Sequence, residues 1–250
     1  MPYSHPQPLD RNKAHQQIRH LLPGAVAFAM VAGYVNSVAL GFFHTPVSHM
    51  TGAVSHLGID LAEAKLWDAW ASLSIVLGFL SGAILAGLIV GAWKLVPGRH
   101  YGVAMMVEGG LLAIGAWLIT AKHRMGLPVL AMACGLQNAT TSSYCGLIIR
   151  TTHVTGVVTD IGVMMGHWMR HRQIDLWKLR FLGWVVIAFT VGGCVGAAAD
   201  LRYGPRCLAL AAAVVSCAGG IFWFITHQGL VDLMQNASPR EPRTGSFPKT

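Results

Sequence analysis

Six apolar runs, at 21–43, 69–93, 102–121, 127–149, 179–199 and 207–226, fill most of this chain of 250 residues. Each approaches or exceeds the roughly 20 residues that a helix needs to cross a bilayer. Within a bilayer every backbone N–H and C=O must find its partner inside the protein, which a helix provides from its own sequence. Only 11% of the residues are charged, about half the share found in an average soluble domain. The runs leave no room for a soluble domain, and the expected fold class is an all-α integral membrane protein.

The ends differ in character. Residues 1–20 read as a basic cytoplasmic tail, with Arg11, Lys13 and Arg19 against the single acid Asp10. No small-residue cleavage site follows the first apolar run, so that run reads as a helix and not a signal peptide. Residues 229–250 read as a disordered tail, rich in Pro, Arg and Ser from Ser238 onwards. The net charge of +8 is accounted for by loop cations that set topology, and nucleic acid is not an expected partner. Cys134, Cys145, Cys194, Cys207 and Cys217 fall in apolar segments without any Cys-x-x-Cys pair, as small interior fillers do.

The chain repeats itself. Ser48-His49-Met50-Thr51-Gly52 returns as Thr152-His153-Val154-Thr155-Gly156, and each copy follows a Gly-x-x-Asn element, Gly33 to Asn36 and Gly135 to Asn138. Further matches keep the same order: Leu66-Trp67 with Leu176-Trp177, Gly78-Phe79 with Ala188-Phe189, Tyr101-Gly102 with Tyr203-Gly204, and Trp117 with Trp223. The expected organisation is two homologous halves, residues 21–126 and 127–228. Each half contains three long helices and one short polar helix, at about 47–62 and 152–168. Duplicated halves with polar motifs are a common build of membrane transporters. Small residues four apart (Gly78, Gly82, Ala86; Ala188, Gly192, Gly196) mark scaffold helices whose backbones approach closely.

Topology turns on the short helices. If they cross, the halves are parallel and there are eight spans; if they re-enter, the halves are inverted and there are six. Counting Lys and Arg on the inner side gives the two arrangements the same score. Asp60, Glu63 and Asp68 sit better outside, as six spans would have them, so six long helices plus two short broken or re-entrant ones are expected.

Ionisable groups inside a membrane are expensive and usually functional. His49 and His56, like His153 and Asp160, are seven residues apart, on one helix face about 10.5 Å from each other. An inverted arrangement would bring His49 near Asp160 and His56 near His153; a parallel one would pair His49 with His153 and His56 with Asp160. Asn36, Thr51, Asn138 and Thr155 would surround them in a substrate or proton site. Asp160 beside an imidazole would suit proton transfer, whereas the spacing provides no metal site. The alternative is that Thr and His only bond neighbouring helices. Glu108 lies in the 102–121 run with no acidic counterpart in the second half, as a coupling carboxyl would, or as a protonated or His-paired structural one would. Arg150 reads as an interfacial residue or an anion ligand. Arg170, Arg172, Lys178 and Arg180 form a cytoplasmic cluster whose expected contacts are anionic lipid headgroups.

Motifs for metalloproteases, nucleophile elbows, phosphate loops and dinucleotide binding are missing, so neither an enzyme nor a cofactor is expected. Gly33-Tyr34-Val35-Asn36, Ser48 to Gly52, Gly135 to Asn138 and Arg150 to Gly156 together resemble the YoaK-type family of bacterial membrane proteins, a domain-of-unknown-function family, over about residues 22–228. Members often carry an acid where Asn36 stands and Asn where Ala53 stands, so the first-half motif departs from the usual pattern. The resemblance implies a multi-pass protein of the bacterial inner membrane and supplies no substrate. The leading expectation is a secondary carrier or channel-like permease for a small solute, possible coupling to protons included. The alternatives are a non-transporting sensor or assembly module, with a homo-oligomer allowed, and, last, an intramembrane enzyme.

Overall fold

The computed structural model describes residues 11–43, 47–90, 99–142, 154–172 and 174–237. All regular structure among them is helical: α1 (Arg11–Phe43), α2 (Met50–Ala62), α3 (Leu66–Val90), α4 (Arg99–Thr120), α5 (Gly126–Ser142), α6 (Val154–His171), α7 (Leu176–Tyr203) and α8 (Leu208–Ala237). A short 3-10 turn, Gly204–Cys207, joins the last two. Among the described residues five of these helices (α1, α3, α4, α7 and α8) have 22 residues or more, while α2, α5 and α6 have 13, 17 and 18.

Two boundaries move. α1 begins at Arg11, inside the segment expected as a tail, because nothing between Arg11 and Leu22 breaks a helix and Pro23 is accommodated within it. α8 continues to Ala237, so residues 229–237 are helical where disorder is expected, and residues 238–250 lie outside the described residues. Apolar length marks what a bilayer covers, and a helix can run past that limit.

Four segments among the described residues are long and apolar enough to cross a membrane: Pro23–Gly41, Leu66–Val90, His100–Thr120 and Leu176–Gly229. The last spans α7, the turn and most of α8. α5 is shorter, at 17 residues. Large apolar side chains cover the outside, among them Leu80, Ile84 and Leu88 on α3, Val191 and Val195 on α7, and Ile221 and Ile225 on α8. A surface of this kind belongs in lipid.

Glycine makes the main helix contacts. On α3, Gly78 lies against the Pro128 carbonyl and Gly82 against the Met132 carbonyl, while Gly135 of α5 lies against the Phe79 carbonyl. On α7, Gly192 meets the Met30 carbonyl and Gly196 the Tyr34 carbonyl, while Gly33 of α1 meets the Phe189 carbonyl. Contacts advance together along both helices of each pair, so α3 runs parallel to α5, and α1 to α7. In the third large contact Gly102 faces Gly219, and Gly109 faces Ala212 and Ser216, which makes α4 and α8 antiparallel. Gly115 against Leu130 and Gly126 against Ile119 do the same for α4 and α5.

One buried cluster gathers Val38 near the end of α1, Ile75 near the start of α3, Ile119 near the end of α4, Leu130 near the start of α5 and Leu208 at the start of α8. α1 therefore arrives at the end of the bundle from which α3 departs. α2 lies between them without traversing the bundle. It packs on α3, where the Ser72 hydroxyl donates to the Asp60 carboxylate at 3.2 Å. α6 rests on α7, Val157 and Ile161 packing with Phe181, Leu182 and Val185. Cys134 and Cys207 are buried as expected, but Cys194 and Cys217 are exposed, on outer faces where lipid accepts a small apolar residue.

Overpacking a close helix crossing costs about 1–3 kcal/mol. Gly82→Ala, which drives a Cβ into the Met132 carbonyl, is expected to lower the unfolding midpoint of the detergent-solubilised protein. Gly87→Ala, where a Cβ meets nothing within 4 Å, is expected to leave it unchanged or raise it slightly.

Candidate functional site

The Gly-x-x-Asn element has a physical basis. In the first half Gly33 permits a helix crossing, and Asn36 holds the segment that leads into the short helix. Asn36 on α1 is 6% exposed, and its Oδ1 accepts from the Ser48 hydroxyl at 2.7 Å. Val47 and Ser48 are thereby carried into the core, and α2 starts there with His49 as its N-cap. The His49 carbonyl accepts the N–H groups of Gly52 and Ala53 at 3.0 and 3.3 Å. Its ring centroid lies 6.1 Å from that of Phe189. First-half motif, Gly-x-x-Asn element and α7 therefore meet at one place.

In the second half, Gln137 next to Asn138 is buried and donates through Nε2 to the Phe28 carbonyl at 3.1 Å, tying α5 to α1. Asn138 is partly buried, and its carbonyl accepts from the Thr141 hydroxyl at 3.0 Å. His153, with Arg150 to Thr152, lies outside the described residues.

Glu108 stands apart. It is 2% exposed and sits close to the middle of the His100–Thr120 segment. The antiparallel register of α4 and α5 sets it opposite Cys134, near enough for the two to interact electrostatically. Among the described residues no hydrogen bond or ion pair reaches its carboxyl. Taking a carboxylate out of water without a partner costs several kcal/mol. A buried carboxyl costs least when it is neutral or beside a cation.

Among the described residues the rest of the expected constellation does not assemble. Thr51 and His56 on α2, and Thr155 and Asp160 on α6, are exposed. Among the described residues α2 and α6 do not touch. The approach of His49 to Asp160 is therefore not formed, and nothing on α6 faces His56. The cause is mechanical: α2 is carried by α3 and α6 by α7, and those carriers do not touch each other. Among the described residues the matching Thr51 and Thr155, and His56 and Asp160, are not neighbours, and the pairings that involve His153 lie outside the described residues.

Four residues escaped sequence reasoning. Ser48 and Gln137 lie inside the quoted motifs, and burial alone separates them from their neighbours. Tyr34 donates its hydroxyl to the Cys207 carbonyl at 2.9 Å. Asp200, in the last turns of α7, has a buried Oδ1 without a hydrogen-bond partner. Its signal in sequence is an acid ending the small-residue run Gly196 to Ala199. Arg170, Arg172, Lys178 and Arg180 are exposed around the α6–α7 junction.

A family model described as "Protein of unknown function (DUF1275)" matches residues 24–221, from the start of the apolar part of α1 into α8. The chain belongs to this family. The YoaK-type resemblance agrees with that membership, and the DUF1275 region includes every candidate site residue. No curated protein and no solved structure matches the chain.

A buried donor or acceptor left without its partner costs about 1–3 kcal/mol. Asn36→Ala is expected to lower stability by that amount and to speed amide hydrogen exchange over residues 47–53. His56→Ala, on an exposed face, is expected to stay within about 0.5 kcal/mol of the parent protein.

Proposed function

We propose that the protein is a secondary carrier of the bacterial inner membrane for a small solute, with Glu108 as its coupling carboxyl. The observation that carries this reading is the lone carboxyl near the centre of a membrane span. Intramembrane acids of this kind mark ion or substrate pathways. A group that must be either protonated or paired with a cation can couple a solute to a proton.

The helix pairing supports a build from two inverted halves with three crossings each. Gly33 on Phe189 corresponds to Gly135 on Phe79, and Gly192 on Met30 corresponds to Gly82 on Met132. Thr120 bonds the Ala116 carbonyl as Thr226 bonds that of Phe222. Departures from this match are informative too. α4 packs along α5, whereas its counterpart α8 barely meets α1. Two like halves packed unequally are what a carrier has in one of its two access states. At the start of α2 the first-half motif reaches inward through Ser48.

A second reading, a non-transporting assembly module, draws on the outward-facing Thr51, His56, Thr155 and Asp160, which a second copy would cover. Anionic lipid headgroups at Arg170, Arg172, Lys178 and Arg180 fit either reading.

In proteoliposomes under an imposed pH gradient, Glu108→Gln is expected to abolish gradient-driven solute flux, and Asp160→Asn to leave it largely intact. A demonstrated flux that survives Glu108→Gln unchanged removes the coupling role. Six crossings put the α4–α5 turn outside, so a single cysteine at His123 should react with an impermeant thiol reagent added to whole spheroplasts. Eight crossings would protect it.

A further inference from the structure

We propose that Tyr34, Asp200 and the Cys207 carbonyl form a binding site for a small monovalent cation of the sodium class, where α1, α7 and the start of α8 meet. Asp200 follows Gly196 by one turn, and Gly196 presses on the Tyr34 carbonyl. One carboxylate oxygen of Asp200 lies 3.1 Å from the point where a Cβ of Gly41 would stand, so a larger residue there would crowd it. Its other oxygen is buried and accepts no hydrogen bond. Beside it the Tyr34 hydroxyl donates to the Cys207 carbonyl at 2.9 Å, and Asp200 is close enough to act electrostatically on both residues. Among the described residues no Lys or Arg pairs with Asp200, and the nearby Arg202 guanidinium lies 5.7 Å from the Tyr203 ring centroid.

The junction of α1, α7 and α8 thus holds three kinds of oxygen: a carboxylate, a phenol whose proton is already given away, and a carbonyl with a second lone pair. All are hard donors that suit alkali and alkaline-earth ions. The site carries one negative charge. A monovalent ion neutralises it, whereas a divalent ion would leave a net charge at the site.

The opposite end of the molecule provides a contrast. Under the proposed correspondence of halves, Tyr34 and Asp200 match Leu136 and Val90. Those two pack with Ala86, Tyr101 and Ala104 in one buried cluster. The junction that α4 and α5 close is thus packed with hydrocarbon and one tyrosine, while the junction that α8 leaves loose against α1 carries an orphan carboxylate. That contrast rests on the proposed repeat; the orphan carboxylate, the phenol and the carbonyl do not.

The test uses the full-length protein in nanodiscs, at fixed pH and ionic strength, with sodium replacing N-methylglucamine. The expected result is a saturable rise in the unfolding midpoint with sodium, as a ligand bound only by the folded state produces. Radiolabelled sodium is expected to bind at one ion per chain. Asp200→Asn should abolish both effects, and Tyr34→Phe should raise the half-saturating concentration about tenfold. Val90→Ala, at the matching position, should leave both intact. A midpoint that follows pH but not sodium, or an equal response in Asp200→Asn, overturns the proposal. If Asp200→Asn does not fold, sodium binding by the parent protein and by Tyr34→Phe decides: no binding, or equal affinity in the two, overturns it. Binding intact with no solute flux would sink the carrier reading alone, and flux intact without sodium binding would sink this site alone.

Discussion

Helix backbones touch directly in this protein, and the rest of the structure follows from that contact. Hydrocarbon surrounds the long helices, so burying a leucine between two of them gains little over leaving it in lipid. Association must come from close packing and from polar bonds. Glycine at Gly33, Gly82, Gly135 and Gly192 lets each carbonyl of the opposing helix come to the distance of a missing Cβ. The α3–α5 and α1–α7 pairs made in this way form the frame. The short α5 gains its place by lying between α3 on one side and α4 on the other.

Within that frame polar groups serve two ends. The Ser48–Asn36 and Gln137–Phe28 bonds satisfy buried atoms and join elements that lack other strong contacts. Each can be understood as glue. Glu108 and the buried oxygen of Asp200 cannot, because they hold nothing together. A folded membrane protein keeps such groups at a cost in stability, and that cost is the physical reason to assign them work on an ion or solute.

Much of this was legible in the residues. Apolar runs placed the long helices, and the motif spacing placed α2 and α6. Small residues four apart announced a close crossing without naming the partner, since Gly82 could have met any helix; only the fold shows Met132 there. Sequence similarity between the motifs led to an expected meeting of His49 with Asp160 that does not occur. Likeness between two motifs says little about which residues lie beside each other. Asp200 stands at the end of an apolar run, where nothing local distinguishes a buried carboxyl from a solvated one. Its lack of a partner depends on the fold of α1 and the turn at Gly204–Cys207, which no local pattern encodes.

α2 has one more consequence. It is 13 residues long, with its inner end bound to α1 through Asn36 and its outer end bound to α3 through Asp60. Between α2 and α3 there is only a tight bend, with Ala64 in the left-handed region and the Lys65 N–H closing onto the Asp60 carbonyl at 2.8 Å. A rod fastened this way acts as a lever. Any tilt of α3 along its glycine seam with α5 is delivered, through a stiff elbow, to the Ser48–His49 tip inside the core.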